Sequence, residues 1–536
     1  MNSRLLLFLT SCIMAVSQSS SAQTPVWSTD IAPILFNNCA SCHRPSGIGP
    51  FELLTYQDAV NKATSISASV STGYMPPWPP NAHYNRLAHE RILSQADIKK
   101  IKDWVAGGTP QGDPNLAPPP PTFNANGDLS GTPDMVTTIP TFTSTASTGD
   151  VYQCFVVPSG LSAEKYISAF EAIPGNRDIV HHVIVYADTT GICANLDAQT
   201  PGPGYVSFGG AGTDAAIMIG GWVPGTQPMV MPDSFGIRIP KNADIVIQIH
   251  YPAGSAGKVD STKLKFYFSQ LQPADIRSVR IDPVLNHSGA LCTMLPPGGL
   301  NIPANQTKAY TQFSNVSGIV GDISILGIAP HMHLIGRSIN AYGVKNGDTL
   351  KFIDIPEWDF SWQGFYMLRK ITKLPAGTTL YSEAFYDNTS SNPYNPSNPP
   401  QLVTAGEATT DEMMITFFIW AYYKPGDENK VIDPTTPVAL SVAEQTAYAN
   451  AELFTPYPNP VSGQLYVKYY LQNASNVTIS ITDLQGRVVK ELVHNEQVMS
   501  GYHVRPYSTA DIPNGMYILQ LHTDGKIMTE KISVQH

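Results

Sequence analysis

Four consecutive prolines, at positions 118–121, constrain the fold of this 536-residue chain more than any other feature. Proline fixes its own φ angle and has no amide donor, so the run suits neither a helix interior nor a central strand. Such a run forms a semi-rigid spacer. The residue pattern also changes here, from helical before the run to short alternating strands after it. We therefore predict a Pro-rich linker at 111–125 between a small all-α region and a β-rich region.

Composition narrows the class of protein. Charged residues make up 14% and the net charge is −10 without any Lys/Arg run, which argues against nucleic acid and anionic membranes as partners. An apolar content of 42% argues against general disorder. At about 100–200 residues per domain, the length predicts several domains.

The first 22 residues have the features of a secretory signal peptide. A charged start with Arg4 precedes an apolar run at 5–16, and small residues extend to Ala22. A lipoprotein box ending at Cys12 is the alternative, although apolar residues continue beyond it. This run is too short for a membrane-spanning helix, and no later run reaches about 18 apolar residues. We predict export and no transmembrane segment.

Five cysteines follow the signal peptide, and two of them share one motif. The other three, Cys154, Cys193 and Cys292, would lie in an oxidising compartment. One disulfide with one thiol left over is therefore expected, but the spacing does not reveal which two cysteines pair.

Residues 39–43 read Cys-Ala-Ser-Cys-His, the attachment pattern of a c-type haem. On one helical turn the thiols of Cys39 and Cys42 reach two porphyrin vinyl groups, and the adjoining His43 binds the iron. A redox-active cysteine pair would more naturally follow a strand of a βαβ unit. A zinc site would need further ligands, and this region has no other cysteine. We predict one covalently attached haem c in this region, which has one helix at 30–42 and another that begins at Ser94.

Met75 is the predicted sixth ligand of that haem iron. It lies in the stiff, Pro-rich segment 73–80, and a thioether ligand there would raise the iron potential. His83 and His89 are the competing ligands. As a whole, residues 25–110 resemble a small class I cytochrome c.

Histidines recur in three motifs of the strand-rich residues 126–440. His181 and His182 are adjacent, so they can share one metal only at the end or bend of a strand. His250 ends an alternating strand. His331 and His333 stand at i and i+2, where a strand would present both on one face. Taken singly, each motif is more often a core or surface feature than a metal site.

Two adjacent methionines, Met413 and Met414, open a later strand of the same region. Methionine in a strand is normally a core residue. Strand alternation allows only one of these two thioethers to face a given site. We predict Met413 as the ligand because it follows Asp411-Glu412.

The ordered set of these motifs resembles the copper type II, ascorbate-dependent monooxygenases, which include peptidylglycine α-hydroxylating and dopamine β-monooxygenases. The resemblance implies two jelly-roll-like β-sandwich domains, at 126–275 and 276–440, with one copper each beside a solvent cleft. It implies that the electron-transfer copper is held by His181, His182 and His250. It likewise implies that the copper activating O2 is held by His331, His333 and Met413. Copper chemistry agrees, because a soft thioether favours Cu(I).

Two positions depart from the amidating members of that family. An arginine that anchors the substrate carboxylate, two residues before the first histidine of the His-x-His motif, is replaced by Ala329. An aromatic hydroxyl four residues beyond the methionine ligand is replaced by Phe417. Peptidylglycine is therefore a doubtful substrate, and a less polar one is expected.

The last segment, 455–536, resembles the C-terminal sorting domain of type IX secretion. The resemblance rests on Pro458-Asn-Pro460, Gly515-Met-Tyr-Ile518 and a basic finish at Lys526 and Lys531. An ordinary small β-sandwich is the alternative. The resemblance implies delivery by the type IX machinery to the surface or exterior of a Bacteroidetes-type bacterium.

Together these patterns predict a secreted haem–copper monooxygenase with two copper ions. It would act on a small organic substrate and O2, with electrons from an ascorbate-like reductant or another redox protein entering through the haem. The alternatives are a non-catalytic haem/copper electron-transfer or copper-binding surface protein, and a copper enzyme that does not hydroxylate C–H bonds. A zinc hydrolase is disfavoured by Met413 and by the lack of a well-placed carboxylate base.

Overall fold

The computed structural model describes residues 24–45, 47–123, 127–436, 451–454, 456, 459–471, 475–498, 501–523 and 526–536. The predicted signal peptide lies outside the described residues. Among the helices within these ranges, none has the length and apolar character needed to cross a membrane.

The N-terminal region is helical. A π-helical turn at Trp27–Ile31 leads into three helices, α1 (Ala32–Asn38), α2 (Tyr56–Ser71) and α3 (Gln95–Ala106). Thr55 and Asp58 form a reciprocal capping box that begins α2. Ser94 accepts the amide of Asp97 and begins α3, as its sequence predicts. Trp27 and Trp104 pack in the core between these helices.

The helix predicted at 30–42 is shorter in the structure, since α1 ends at Asn38. The Cys-x-x-Cys-His residues follow it in tight turns rather than in a continuous helix. The amide of His43 still donates to the carbonyl of Cys39 at 2.9 Å, so one helix-like turn holds the motif together.

Residues 127–275 form short strands around one helix, as the alternating sequence predicts. Their bounds are β1 (Met135–Thr138), β2 (Phe142–Thr143), β3 (Val151–Pro158), β4 (Lys165–Ile173), β5 (His182–Asp188), α4 (Ile192–Gln199), β6 (Tyr205–Val206), β7 (Ile217–Trp222), β8 (Met229–Val230), β9 (Phe235–Ile239), β10 (Asp244–Tyr251), β11 (Val259–Asp260) and β12 (Lys263–Phe268).

Residues 276–436 continue in the same style. Their bounds are β13 (Arg277–Asn286), β14 (Cys292–Leu295), β15 (Asn301–Ile302), β16 (Gln306–Ser314), α5 (Val316–Val320), β17 (Ile323–His331), β18 (Gly336–Lys345), β19 (Asp348–Ile355), β20 (Tyr366–Leu374), β21 (Thr379–Asn388), β22 (Val403–Thr404) and β23 (Ile415–Tyr422). Single 3₁₀ turns lie at Pro114–Leu116, Pro273–Asp275, Phe360–Trp362 and Asp427–Asn429.

One nine-stranded sheet runs through both of these parts, in the order β1-β12-β4-β9-β13-β23-β17-β20, with β8 attached to β4. A five-stranded sheet, β6-β3-β10-β5-β7, packs on its first half, and another, β14-β16-β21-β18-β19, packs on its second half. The arrangement is therefore two β-sandwiches, each with its own core. The division proposed near residue 275 falls just before β13, which pairs with β9 on one side and β23 on the other.

The C-terminal segment is a further small sandwich. Its strands are β24 (Ala451–Leu453), β25 (Gln464–Leu471), β26 (Ser475–Thr482), β27 (Val488–Val498), β28 (Gly501–Ser508), β29 (Gly515–Thr523) and β30 (Lys526–Val534). They form the sheets β24-β25-β28 and β27-β26-β29-β30 around one apolar core.

Candidate metal centres

Three histidines meet where β5 and β10 lie side by side. His182, the first residue of β5, stands directly opposite His250 in the antiparallel register. His181 precedes the strand, and its amide donates to the carbonyl of His250 at 2.9 Å. Because β5 begins at His182, both members of the adjacent pair can turn toward His250. One ligand atom from each residue lies within 4.8 Å of the other two. We call this group the triple-histidine site.

Burial favours the neutral form of two imidazoles of the triple-histidine site, those of His181 and His182. Burial lowers the pKa of His181 to about 3, and it lowers the pKa of His182 well below its usual range. Nδ1 of His181 faces Nδ1 of His182 at 3.3 Å. Nδ1 of His250 is buried and has no hydrogen-bond partner among the described residues. Three imidazoles that converge on one point fit a transition-metal ion.

Neighbouring side chains hold His250 in place. The ring of Tyr152 stacks on it at 4.3 Å between centroids. Asp150 Oδ2 lies 3.4 Å from His250 Nε2, within ion-pair distance but without hydrogen-bond geometry. Burial alone would raise the pKa of Asp150. Its contacts with His250, the Thr409 hydroxyl and the Ala253 amide lower that pKa below its usual value. This residue is therefore an anion beside the imidazole.

The second candidate site lies at the end of β17. His331 is the last residue of this strand, and the ring centroids of His331 and His333 are 5.1 Å apart. The sequence predicts both histidines on one strand, but His333 lies beyond the strand end. The cause is Glu412, whose buried carboxylate accepts the amides of His333, Ile335 and Gly336 and so turns the chain.

Hydrogen bonds determine which nitrogen each of these histidines presents. His331 Nδ1 pairs with Gln363 Oε1 at 2.5 Å, and His333 Nδ1 pairs with the carbonyl of Asp411 at 3.1 Å. Gln363 is oriented in turn, because its Nε2 donates to the carbonyl of Phe360. Both Nε2 atoms keep their lone pairs for a metal. Burial lowers the pKa of His331 to about 4 and of His333 to about 3, so both rings are neutral.

The two adjacent methionines have different surroundings. Met414 is fully buried in the apolar core of the second sandwich. Met413 is also buried but belongs to none of the apolar clusters of the described residues, and its amide donates to Glu412, which also holds His333. These surroundings support Met413 as the ligand and Met414 as a packing residue. We call His331, His333 and Met413 the thioether site.

Phe360 lies between the two sites. Its ring stacks on His181 at 5.0 Å and meets His333 edge-on at 6.0 Å. The same connection between β19 and β20 carries Trp358, whose Nε1 donates to the carbonyl of His333. The sites are therefore separated by a half-buried aromatic ring, at the position where the resemblance implies a solvent cleft.

The Cys-x-x-Cys-His motif places its histidine in a defined orientation. His43 is 8% exposed, and its Nδ1 lies 2.9 Å from the carbonyl of Phe51. A Cβ at Gly49 would lie 2.6 Å from that nitrogen, so only glycine fits there. Cys39 and Cys42 are free thiols. Two thiols and a histidine whose Nε2 remains available fit a covalent haem.

Met75 lies in the loop after α2, where its amide donates to the carbonyl of Ser69. Its role as the sixth ligand of the haem iron stays a prediction.

Sequence reasoning missed several residues that surround the sites. These are Tyr152, Asp150, Phe360, Gln363 and Glu412, together with His287, whose Nδ1 accepts the amide of Met414. Most of them lie far along the chain from the ligands they support. Two signals existed: Asp150 and Tyr152 belong to the segment 150–154, which precedes the histidine pair within the monooxygenase resemblance, and Glu412 lies directly between Asp411 and Met413.

Comparison with protein families identifies two parts of the chain. Residues 291–441 match the "Copper type II ascorbate-dependent monooxygenase, C-terminal domain", a range that includes the whole thioether site. Residues 455–535 match the "Secretion system C-terminal sorting domain". These matches confirm the predicted monooxygenase resemblance over the second sandwich and the predicted type IX sorting tail. They imply a copper cofactor and delivery to the cell surface or beyond. The resemblance of residues 25–110 to cytochrome c stays a prediction.

Two curated relatives share part of the chain. "DBH-like monooxygenase protein 2" of Mus musculus is 28% identical over 286 residues, which is 50% of this chain and 43% of the relative. "Putative DBH-like monooxygenase protein 2" of Homo sapiens is 25% identical over 281 residues, which is 50% of this chain and 53% of the relative. The match thus spans about half the length of these relatives.

Solved structures give no further information about the fold. A β-glucuronidase of Parabacteroides merdae is 8% identical and covers 43% of this chain and 28% of its own, but the TM-score is only 0.13.

Proposed function

We propose that this chain is a secreted copper-dependent monooxygenase that hydroxylates a C–H bond of a small organic substrate. The balanced reaction is R–H + O2 + 2 e⁻ + 2 H⁺ → R–OH + H2O. The observation that carries the proposal is the pair of imidazole-rich sites that lie on either side of the Phe360 ring. Bound copper ions would supply one-electron transfer and O2 activation there.

The two sites have different donors and therefore different roles. The triple-histidine site offers three imidazoles, which suit a copper that changes between its two oxidation states. The thioether site offers two imidazoles and the soft sulfur of Met413, which favours Cu(I), the state that reacts with O2. We assign electron transfer to the first site and O2 activation to the second.

The side chains around the thioether site orient the ligands and exclude water. Gln363 and the Asp411 carbonyl keep the two Nδ1 atoms occupied, so that only Nε2 faces the metal. Glu412 ties the His333 turn to Met413. The ring of Phe360 occupies space that water would otherwise fill, which keeps the local dielectric constant low.

The substrate class follows from Ala329 and Phe417. These are the two positions where amidating enzymes have an arginine and an aromatic hydroxyl, and they are direct cross-strand partners on β17 and β23. Ala329 is 6% exposed. One apolar patch therefore replaces both polar anchors, which supports a less polar substrate than peptidylglycine.

We further propose that the haem at Cys39, Cys42 and His43, with Met75 as sixth ligand, receives electrons for the triple-histidine site. An external ascorbate-like reductant or another redox protein would be the donor. The N-terminal region contacts the second sandwich, because the amide of Ala88 donates to the carbonyl of Met367 on β20 at 2.8 Å. Arg44, which directly follows the motif, pairs with Asp128, in the segment before β1, at 3.7 Å, so the motif also lies close to the strand-rich part of the chain.

Metal analysis and EPR of the purified full chain test the proposal. We expect one haem and two type II copper signals per chain, with O2 uptake that appears only with an organic substrate. His331→Ala should abolish this uptake, whereas His494→Ala, at an exposed histidine of the C-terminal sandwich, should not. Haem without copper, after copper has been supplied, would overturn the monooxygenase assignment. Copper without substrate-dependent O2 uptake would favour the non-catalytic alternative.

The adjacent methionines offer a matched pair for the ligand assignment. Met413→Leu removes the sulfur at nearly constant volume and should lower Cu(I) affinity at one site only. Met414→Leu makes the same change in the apolar core and should keep both metals, with a stability cost below about 1.5 kcal/mol. Equal copper loss in both variants would contradict the assignment of Met413.

Rapid-mixing spectroscopy tests the electron inlet separately. Prereduced haem in the copper-loaded chain should reoxidise with O2, and His181→Ala should slow this reoxidation. If haem reoxidation does not depend on copper, the inlet proposal fails while the monooxygenase assignment remains.

A further inference from the structure

A cavity of about 100 Å³ lies where the N-terminal region meets both sandwiches. Its walls come from four separate stretches of the chain and include Trp78, Arg91, Gly225, Gln363, Tyr366 and Met367. In liquid water this volume corresponds to roughly three molecules. The space therefore admits the head of a small organic molecule but not a large substrate.

Two side chains at this cavity offer hydrogen-bond donors to a ligand: within the part of the chain that the structure describes, the Trp78 indole N–H has no acceptor, and the Arg91 guanidinium has no carboxylate partner. The indole Nε1 of Trp78 is buried and has no partner among the described residues. The guanidinium of Arg91 lies 5.7 Å from the centre of the Trp78 ring and donates through Nη1 to the carbonyl of Gly225 at 2.7 Å. Over the described ranges, no carboxylate forms an ion pair with Arg91.

This arrangement is costly unless an anion completes it. A half-buried guanidinium without a carboxylate partner, and a buried N–H without an acceptor, each lose hydration that the protein only partly replaces. Burial indeed lowers the pKa of Arg91. Asp433 Oδ2, beside the cavity residue His89, is already engaged by the amide of His89 and the hydroxyl of Thr436.

The backbone at the cavity is adapted to the arginine. Gly225 has φ of +77°, and a Cβ there would lie 3.1 Å from Arg91 Nη1 and 3.2 Å from the Trp362 ring. A larger residue would be strained and would press on the guanidinium. The glycine thus allows the first sandwich to lie close to the Arg91 guanidinium of the N-terminal region.

We propose that the cavity is a binding site for a carboxylate group, held by the Arg91 guanidinium and the Trp78 indole N–H. A guanidinium presents parallel N–H groups that match the two oxygens of a carboxylate. Tyr366 and Met367 supply an apolar wall for the attached carbon chain. The carboxylate has two possible sources: a propionate of the haem, or a small diffusing carboxylic acid. Only the first source rests on the proposed haem.

The site is connected to the thioether site by a single side chain. Gln363 lines the cavity and also pairs with Nδ1 of His331. One residue, Gln363, therefore separates an occupant of the cavity from His331, a proposed metal ligand.

Calorimetric titration with sodium acetate, against sodium chloride as ionic control, tests the site in two forms of the full chain. One form carries haem, and the other is haem-free through Cys39→Ala and Cys42→Ala. We expect saturable acetate binding to the haem-free form, weakened at least tenfold by Arg91→Ala and also weakened by Trp78→Phe, which keeps the ring but removes the donor. Arg280→Ala, at an exposed arginine paired with Asp282, should have no effect.

The haem-carrying form separates the two sources. If a propionate occupies the cavity, this form does not bind acetate, and Arg91→Ala lowers the haem reduction potential because a positive charge is lost. If a diffusing acid is the ligand, this form binds acetate and the potential does not change. Acetate binding by neither form, with an unchanged potential in Arg91→Ala, would overturn the proposal. So would an equal loss of acetate affinity in Arg280→Ala.

Discussion

Among single residues, Glu412 has the largest influence on the thioether site. It is fully buried, and its two oxygens accept the amides of His333, Met413, Ile335 and Gly336. Burial raises the pKa of Glu412 to about 8, and the four amide bonds oppose this shift by favouring the carboxylate. One side chain thus connects a histidine ligand to the methionine ligand.

Glu412→Gln should lower copper affinity at the thioether site about 10- to 100-fold, the usual effect of losing a group that orients a ligand. The amide NH2 of glutamine would face backbone N–H groups that need an acceptor. Competition with a copper chelator measures the effect, and copper at the triple-histidine site should be unchanged. Glu383→Gln is the control, because Glu383 is exposed and bonds to Tyr342. Equal affinities in both variants would contradict the role of Glu412.

Cys154 and Cys193 are free thiols in the structure, but they share one small cluster, and we predict that they form the disulfide. Cys154 and Cys193 are both fully buried in one small cluster, and their sulfurs lie near the adjacent carbonyls of Gly210 and Ala211. Cys292 instead lies beside Gln312 in the second sandwich. Peptide mapping of the secreted protein should show a Cys154–Cys193 bond and a free Cys292. Cys193→Ala should then cost about 2–4 kcal/mol of stability. A mapped bond to Cys292 would refute this pairing.

At the scale of elements, β13 joins the two sandwiches and is secured at its first residue. Arg277 makes a two-pronged ion pair with Asp427, at 2.8 and 2.9 Å. Asp427 also accepts the hydroxyl of Ser324, on β17. Burial would raise the pKa of Asp427, but Arg277 and Ser324 lower it overall, so the residue is a buried anion. The pair connects the shared strand to the element that ends at His331.

Asp427→Asn should destabilise the chain by about 3 kcal/mol, because it leaves the Arg277 guanidinium without its counter-charge. Chemical unfolding followed by tryptophan fluorescence measures the loss. Asp483→Asn removes a solvent-screened pair with Arg487 and should cost much less stability. A loss at Asp427 no larger than at Asp483 would mean that the buried pair contributes no net stability.

At the scale of the whole molecule, three parts of the chain meet at the end of β19. Asp354 on this strand accepts Nδ2 of Asn81, from the N-terminal region, at 2.9 Å. Lys468 of the C-terminal sandwich pairs with the neighbouring Glu357 at 2.6 Å. Burial raises the pKa of Asp354 to about 6, although Asn81 and Lys468 oppose the shift.

This raised pKa predicts how stability depends on pH. The folded chain holds the Asp354 proton more tightly than the unfolded chain, whose aspartates titrate near 3.9. The stabilisation of the folded state by the protonated Asp354 carboxyl is therefore fully present below about pH 4 and is lost as pH rises through about 6. Relative to Asp354→Asn, the wild type should lose about 2 kcal/mol of its free energy of unfolding between pH 4 and pH 7. Melting temperatures of both proteins over that range measure the loss, and a constant difference would contradict it.

Much of this protein could be predicted from local sequence. The Cys-x-x-Cys-His motif, the Ser94 cap of α3, the alternating strands and the sorting tail each lie within a short stretch of chain. The order of the histidine and methionine motifs also predicted the monooxygenase resemblance, which the family match confirms over residues 291–441. Such patterns are readable because spacing and side-chain periodicity act over a few residues.

Only the tertiary structure decided which distant residues meet. Strand periodicity placed His333 beside His331 on β17, but Glu412, about 80 residues later, turns the chain after His331. The packing of α4 brings Cys193 to Cys154, and β13 merges two sandwiches into one sheet. Phe360 between the metal sites and Arg91 beside Trp78 depend on how whole elements pack. These contacts join residues far apart in the chain, so no spacing records them, and they arise only when the cores exclude water.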